Sequence, residues 1–153
     1  MSATLEMPDL DAELLHKLEL IVSSYAILTG SKLLDNPTPE RLWSASRVIV
    51  AHGTEAEPIF FYGNRMALEL FEMDFASFVR LPSRHSAEPI ERQERARLLE
   101  RVSRDGFIDN YAGVRISATG RRFRIERATV WNLIDGQGKR RGQAATFDRW
   151  VPV

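Results

Sequence analysis

The spacing of apolar residues along the chain changes period three times. Leu14, Leu18, Ile21, Tyr25 and Leu28 recur at steps of four and three, which predicts an amphipathic helix over residues 9–28, stopped by Thr29-Gly30. Asp35-Asn36-Pro37-Thr38-Pro39 is turn chemistry, and a short helix follows around Glu40–Ser44. Two short β-rich runs come next, Arg47–His52 and Pro58–Tyr62, bounded by Gly53 and Gly63. At Asn64 the period returns to that of a helix. Asn64 is suited to cap it, Met66, Leu70 and Met73 mark its face, and Asp74 restarts a shorter helix through Phe75, Phe78 and Val79. Pro89–Arg104 predicts a highly charged helix ended by Gly106. Ile90, Leu98, Leu99 and Val102 form its narrow stripe, and Glu91/Arg95 and Glu100/Arg104 can pair at i,i+4.

The last third alternates as antiparallel sheet. In Phe107–Ser117 the even positions Ile108, Ala112, Val114 and Ile116 are apolar; in Arg121–Ile134 it is the odd Phe123, Ile125, Trp131 and Leu133. Facing these sets across Ala118-Thr119-Gly120 pairs Ile116 with Phe123 and Val114 with Ile125. Arg115 then lies opposite Arg124 on the other face, a like-charge pair that calls for a carboxylate or anion. Asp135-Gly136-Gln137-Gly138 makes a second hairpin turn into a last strand over Arg141–Phe147. The fold class is α+β with an antiparallel sheet: a helical extension over residues 1–30 and one globular domain over 31–153.

Composition narrows the chemistry. With no cysteine among 153 residues, no disulfide, thiolate nucleophile or Cys-based zinc site can form. No run reaches the roughly 18 apolar residues of a membrane span, and Met1–Glu6 has no signal-peptide character, so a cytoplasmic location is expected. The net charge of zero divides into −7 over residues 1–75 (5 basic, 12 acidic) and +7 over 76–153 (16 basic, 9 acidic), and 18 of the 21 basic residues are arginine. The halves can neutralise one another in the fold; the other reading is an arginine-rich face for an anionic ligand or partner.

The element order resembles the PAS fold, a five-stranded antiparallel sheet with short helices across one face. Within it, three blocks resemble the MEKHLA domain family. They are His52-Gly53-Thr54-Glu55 with Pro58–Asn64, then Leu81-Pro82-Ser83-Arg84-His85-Ser86-Ala87-Glu88, then Gly106–Ser117 continuing through Gly120–Ile125 to Trp131-Asn132-Leu133. The resemblance covers about residues 20–150 and suggests the short, stand-alone bacterial or algal type. The plant type lies at the C-terminus of homeodomain leucine-zipper transcription factors. A regulatory module is implied, with no ligand, cofactor or catalytic residue supplied.

A PAS-type pocket would lie between the sheet and the helices of residues 64–102. On that geometry the candidate ligand-binding residues are His52, Tyr62, Asn64, Arg84, Tyr111, Arg115, Phe123, Trp131 and Asn132. Four have a plainer reading: Asn64 as a helix cap, Asn132 as a buried amide bonded to backbone, Trp131 and Phe123 as core. No two of His16, His52 and His85 have metal-ligand spacing, and His52 with Glu55 reads as structural before metal-binding. The resemblance places His85 where haem-binding PAS proteins carry an axial ligand. Flavin chemistry through a cysteinyl adduct is excluded, and non-covalent flavin stays open. Hydrolase, Walker and Rossmann signatures are missing, so no catalytic residue or metal site is assigned. Asp109 and Glu126 read as neutralising Arg115, Arg122 or Arg124. The basic hairpin tips, Arg121-Arg122 and Lys139-Arg140-Arg141, read as solvated rather than as a nucleic-acid stripe. Leu14, Leu18, Ile21, Tyr25 and Leu28 are expected to pack partly on the sheet and partly on a second subunit in a homodimer. Two functions stand: a sensory module binding a small molecule and signalling to a regulatory partner, or a ligand-free interaction module.

Overall fold

The computed structural model describes residues 5–153; residues 1–4, and the side chains of residues 89–91, lie outside it. The reading of Met1–Thr4, the place of Ile90 on its stripe and the Glu91/Arg95 pair therefore fall outside the described residues. The elements are α1 (Ala12–Thr29), α2 (Pro39–Ser44), β1 (Val48–His52), β2 (Phe60–Gly63), α3 (Arg65–Phe71), α4 (Phe75–Phe78), a 3-10 turn (Ser83–Ser86), α5 (Pro89–Asp105), β3 (Phe107–Ile116), β4 (Arg122–Ile134), β5 (Arg140–Phe147) and β6 (Arg149–Pro152). Side-chain caps start four helices: the oxygens of Asp11, Thr38, Asn64 and Asp74 accept from backbone N–H groups three residues on.

The sheet is antiparallel in the order β2-β1-β5-β4-β3. The thirteen-residue β4 is longer than β5, and β6 pairs with the part of β4 that β5 leaves open, Phe123–Glu126. β5 and β6 thus share one lane, and the sheet has five lanes built from six strands.

α1 covers one face of the sheet, the outer face. Leu18 and Ile21 bury against Ile49, Ala51, Tyr62, Trp131, Leu133 and Ala144. The Trp131 indole N–H donates to the Ile21 carbonyl at 3.2 Å, and Tyr25 meets the ring edge-on at 4.9 Å. Of the stripe expected to touch both the sheet and a second subunit, Leu18 and Ile21 are buried on the chain's own sheet, while Leu14, Tyr25 and Leu28 stay partly exposed. Leu14, Tyr25 and Leu28 pack on that cluster, and the apolar residues α1 leaves most exposed, Ile27 and Leu15, lie off the stripe.

The inner face is covered by α3, α4 and α5. Ala67, Leu68, Phe71 and Phe78 pack on Val48, Val50, Phe60, Phe123, Ile125 and Phe147, while Leu98 and Val102 of α5 pack on Val130. Two residues in left-handed backbone, Asn110 (φ 55) and Arg127 (φ 53), each reverse the side-chain alternation of their strand. This overturns two expectations. Phe123 and Ile125 face inward, but beyond Arg127 the inward residues are Ala128, Val130 and Asn132, so Trp131 and Leu133 face α1. In β3, beyond Asn110, the inward residues are Tyr111, Gly113 and Arg115 in place of Ala112, Val114 and Ile116.

The register is also one residue from the expected one: Arg115 pairs with Phe123, Val114 with Arg124 and Ile116 with Arg122. The turn decides it. Ala118-Thr119-Gly120 forms a three-residue loop with Gly120 at φ 91, and Ser117 N–H donates to the Arg121 carbonyl at 2.9 Å. The Arg115–Arg124 pairing does not occur. Asp109 is exposed, and Arg122 instead pairs with Glu88 at 2.5 Å.

Candidate functional site

Three strands place one polar residue each in a single row on the inner face. His52 of β1 pairs with Gln143 of β5, and Gln143 pairs with Asn132 of β4. The next inward row is apolar, with Val50, Ala145 and Val130 in register. All three polar residues are buried beneath α5. The two N–H bonds of Gln143 Nε2 are shared among three acceptors, the Leu99 carbonyl (3.2 Å), Ser103 Oγ (3.1 Å) and Asn132 Oδ1 (3.1 Å). Asn132 donates in turn to the Val102 carbonyl at 2.9 Å. These bonds fix the Gln143 amide so that Nε2 points at α5, and its Oε1 is buried without a partner.

His52 has a similar loose end. Its Nδ1 lies 3.0 Å from the Gly53 carbonyl, which can only accept, so Nδ1 carries the proton. Burial, and after it the positive charges of Arg95 and Arg140, push the imidazole down to about 4, against a hydrogen bond to Gly53 that favours the proton. At neutral pH the ring is uncharged and Nε2 is a bare acceptor, buried and unpartnered.

Two arginines complete the site. Arg95 falls on the Leu98/Val102 stripe of α5 and donates to Ser83 Oγ in the 3-10 turn. Burial, and then the nearby Arg115, bring Arg95 down to about 10, so it keeps its charge at pH 7. Arg115 donates to its neighbour's carbonyl, Val114 O, at 2.8 Å and to Tyr111 Oη at 3.2 Å. Gly113 makes this possible, since a Cβ there would collide with the Tyr111 hydroxyl. Neither arginine makes a salt bridge to a carboxylate among the described residues. Arg95, Arg115, His52 and Gln143 are each no more than 9% exposed.

These four side chains line a cavity of about 70 Å³ between the inner face and α5, its other walls formed by Tyr111, Ser86 and the apolar Val50, Phe60, Phe71, Leu98, Leu99, Ile125, Val130 and Phe147. Such a space holds roughly five waters, and is under half the size of the cavity of about 150 Å³ that admits benzene in an engineered protein.

The family model of the MEKHLA domain matches residues 15–152. The chain belongs to the MEKHLA domain family. It is 24% identical over 140 residues to the homeobox-leucine zipper protein ATHB-9 of Arabidopsis thaliana, an alignment covering 85% of this chain and 17% of the plant protein. The MEKHLA chain thus spans about a sixth of that relative's length. Its fold is PAS-like. It matches the PAS domain of a Colwellia psychrerythraea protein with TM-score 0.63 at 10% identity, over 74% of this chain and 92% of that one. A light-oxygen-voltage domain studied with a flavin analogue matches with TM-score 0.60 at 14% identity, over 75% and 83% of the two chains. A flavin ring system does not fit a 70 Å³ cavity lined as this one is.

Of the residues singled out from the MEKHLA sequence, His52, Tyr111 and Arg115 line the cavity. Phe123 supports it from behind, its ring 5.4 Å from that of Phe71, and Asn132 orients Gln143. The others lie elsewhere. Trp131 and Tyr62 belong to the outer face, where burial pushes the Tyr62 hydroxyl up and keeps it protonated. Asn64 has both ends of its amide taken: Oδ1 accepts from Ile49 and Ala67 N–H, and Nδ2 donates to the Leu42 and Arg47 carbonyls. Arg84 is on the surface, 2.6 Å from Glu57, and His85 is exposed beside it. Glu55 accepts from Ile59 N–H, closing the β1–β2 loop, while the neighbouring His52 bonds to Gly53; the two do not form a metal pair. No cluster of metal-ligating residues occurs among the described residues, nor is any helix there long and apolar enough to cross a membrane.

Sequence reading missed Arg95 and Gln143. Signals for both were present: Arg95 continues the apolar stripe at steps of three and four, and Gln143 shares the strand face of Ala145 and Phe147.

Proposed function

We propose that this MEKHLA domain is a sensory or regulatory module that binds a small molecule in the cavity between the sheet and α5. One observation carries the reading: buried donors and acceptors converge on a cavity and are incompletely satisfied by the protein itself. A purely structural core would pair them or replace them with apolar groups.

The same arrangement supplies a route outward. Arg95 reaches the cavity from α5, whose opposite side exposes Glu94, Arg97, Glu100 and Arg101. A ligand that draws on Arg95 biases the seating of that helix, and a regulatory partner protein would read its charged surface. Native mass spectrometry of freshly purified protein tests the reading. Retained mass that is lost on denaturation, and lost in Arg95→Met, is the expected result. A chain at its bare sequence mass, with no small molecule from a metabolite mixture changing its thermal stability, would leave the ligand-free interaction module standing.

A further inference from the structure

We infer that the cavity selects a short hydroxycarboxylate, a refinement that rests on the ligand-binding reading above. The charge comes first. Arg95 and Arg115 are two buried cations in one small space, with no carboxylate salt-bridged to them among the described residues. Among the described residues Arg115 donates only to uncharged partners, a carbonyl and a tyrosine hydroxyl; a buried charge held in that way is costly, and one anion placed between it and Arg95 relieves it. Each guanidinium already spends donors within the protein, Arg95 on Ser83 and Arg115 on Val114 and Tyr111. What remains suits one carboxylate shared between them.

The second requirement comes from the opposite polarity. His52 Nε2 and Gln143 Oε1 are acceptors without donors, on residues lining the same cavity. A second carboxylate would be repelled by them, which disfavours dicarboxylates. An amino acid supplies donors, but its ammonium group leaves the pair of arginines uncompensated. A hydroxyl satisfies an acceptor without adding charge. Apart from Tyr111 and Ser86 the remaining wall is apolar, so the rest of the ligand is a short hydrocarbon, and a cavity of about 70 Å³ limits it to roughly five or six heavy atoms.

Glycolate and lactate are the probes, with propionate, butyrate, alanine and phosphate as controls, added to the dialysed full chain. A hydroxycarboxylate at a hundred times its Kd should raise Tm by about 5–10 °C. Propionate should bind at least tenfold more weakly than lactate by calorimetry, because it leaves the acceptors unmet. Arg115→Met and Arg95→Met should each abolish binding of every carboxylate. His52→Phe should remove the preference for lactate over propionate while propionate still binds, a split that general damage to the fold would not produce. Equal shifts with phosphate would overturn the assignment in favour of an unselective anion site. Silence from all the probes, with a mass retained in native spectrometry, overturns the ligand class and leaves the binding reading intact; silence with no retained mass overturns both.

Discussion

The two faces of the sheet are solved in opposite ways by the same five lanes. Under α1 the packing is largely apolar: Trp131, Tyr62, Ile49 and Leu133 meet Ile21 and Leu18, the indole N–H of Trp131 is satisfied by Ile21, and the Tyr62 hydroxyl is buried without a partner. Under α5 there is a cavity, and around it stand two arginines, a histidine and a glutamine whose polar atoms the protein satisfies only in part. Alternation along β4 forces the contrast, since Trp131 and Asn132 are neighbours in sequence and point to opposite faces. The outer face contributes stability. The inner face carries a cost that the proposed ligand site accounts for, and on that reading stability and function are divided across a sheet one residue thick.

The comparison predicts its own largest effect. Trp131→Ala removes the most deeply buried large side chain of the outer face and should cost about 3–5 kcal/mol in urea unfolding. A loss below about 1 kcal/mol would show that α1 is not what closes that face.

Acid should break the inner face next. The folded environment holds His52 at about 4, while the unfolded chain takes up the proton near 6.5. The stabilisation is therefore complete above pH 6.5 and is lost as the pH falls from there towards 4. The loss comes to about 3 kcal/mol. Comparing urea unfolding at pH 7 and pH 4.5 for the parent and His52→Gln isolates it, because the variant should lack about 2–3 kcal/mol of the acid-induced loss. Parallel pH profiles would mean that water already reaches Nε2.

Much of the fold was legible because local chemistry and tertiary packing agree. The caps at Asn64 and Asp74, the stop at Gly30 and the short β-rich run of β1 have the same meaning in isolation as in the fold. The site was legible only in part, and the reason is the two left-handed residues Asn110 and Arg127. Neither type announces a bulge, yet each reverses the alternation downstream. Trp131 was thereby assigned to the pocket, and Arg115, though among the candidate ligand-binding residues, was set opposite Arg124 on the other face. Arg115 lines the cavity because the bulge at Asn110 turns it inward. The three-residue turn closed by Gly120 was the stronger guide to register than matching apolar faces.

Asn64 sharpens the contrast from within the scaffold. Unlike Gln143, it has all four of its hydrogen bonds made by the protein, joining β1, α2 and α3. Asn64→Ala should cost about 2 kcal/mol by stranding those backbone groups, and should leave the affinity of the folded protein for its ligand unchanged. A selective loss of affinity at unchanged stability would move Asn64 into the site.

The smallest expected effect has the opposite sign. Arg115 is buried, its described partners are a backbone carbonyl and a tyrosine hydroxyl, and it lies close enough to Arg95 to lower that residue's hold on its proton. Replacing a poorly compensated buried charge with an apolar side chain of similar length is often neutral or stabilising. Arg115→Met should therefore leave the ligand-free chain as stable as the parent or more stable by about 1 kcal/mol, a rise in Tm of roughly 2–4 °C. The ranking should reverse when ligand is present, because only the parent gains from binding. A structural role predicts a different pattern, in which the variant is less stable with and without ligand. A loss of more than about 1 kcal/mol in the ligand-free protein would show that the bonds to Val114 and Tyr111 hold β3 in place. The cost assigned to the inner face would then be a fastening of the edge strand, and the division between the two faces would have to be redrawn.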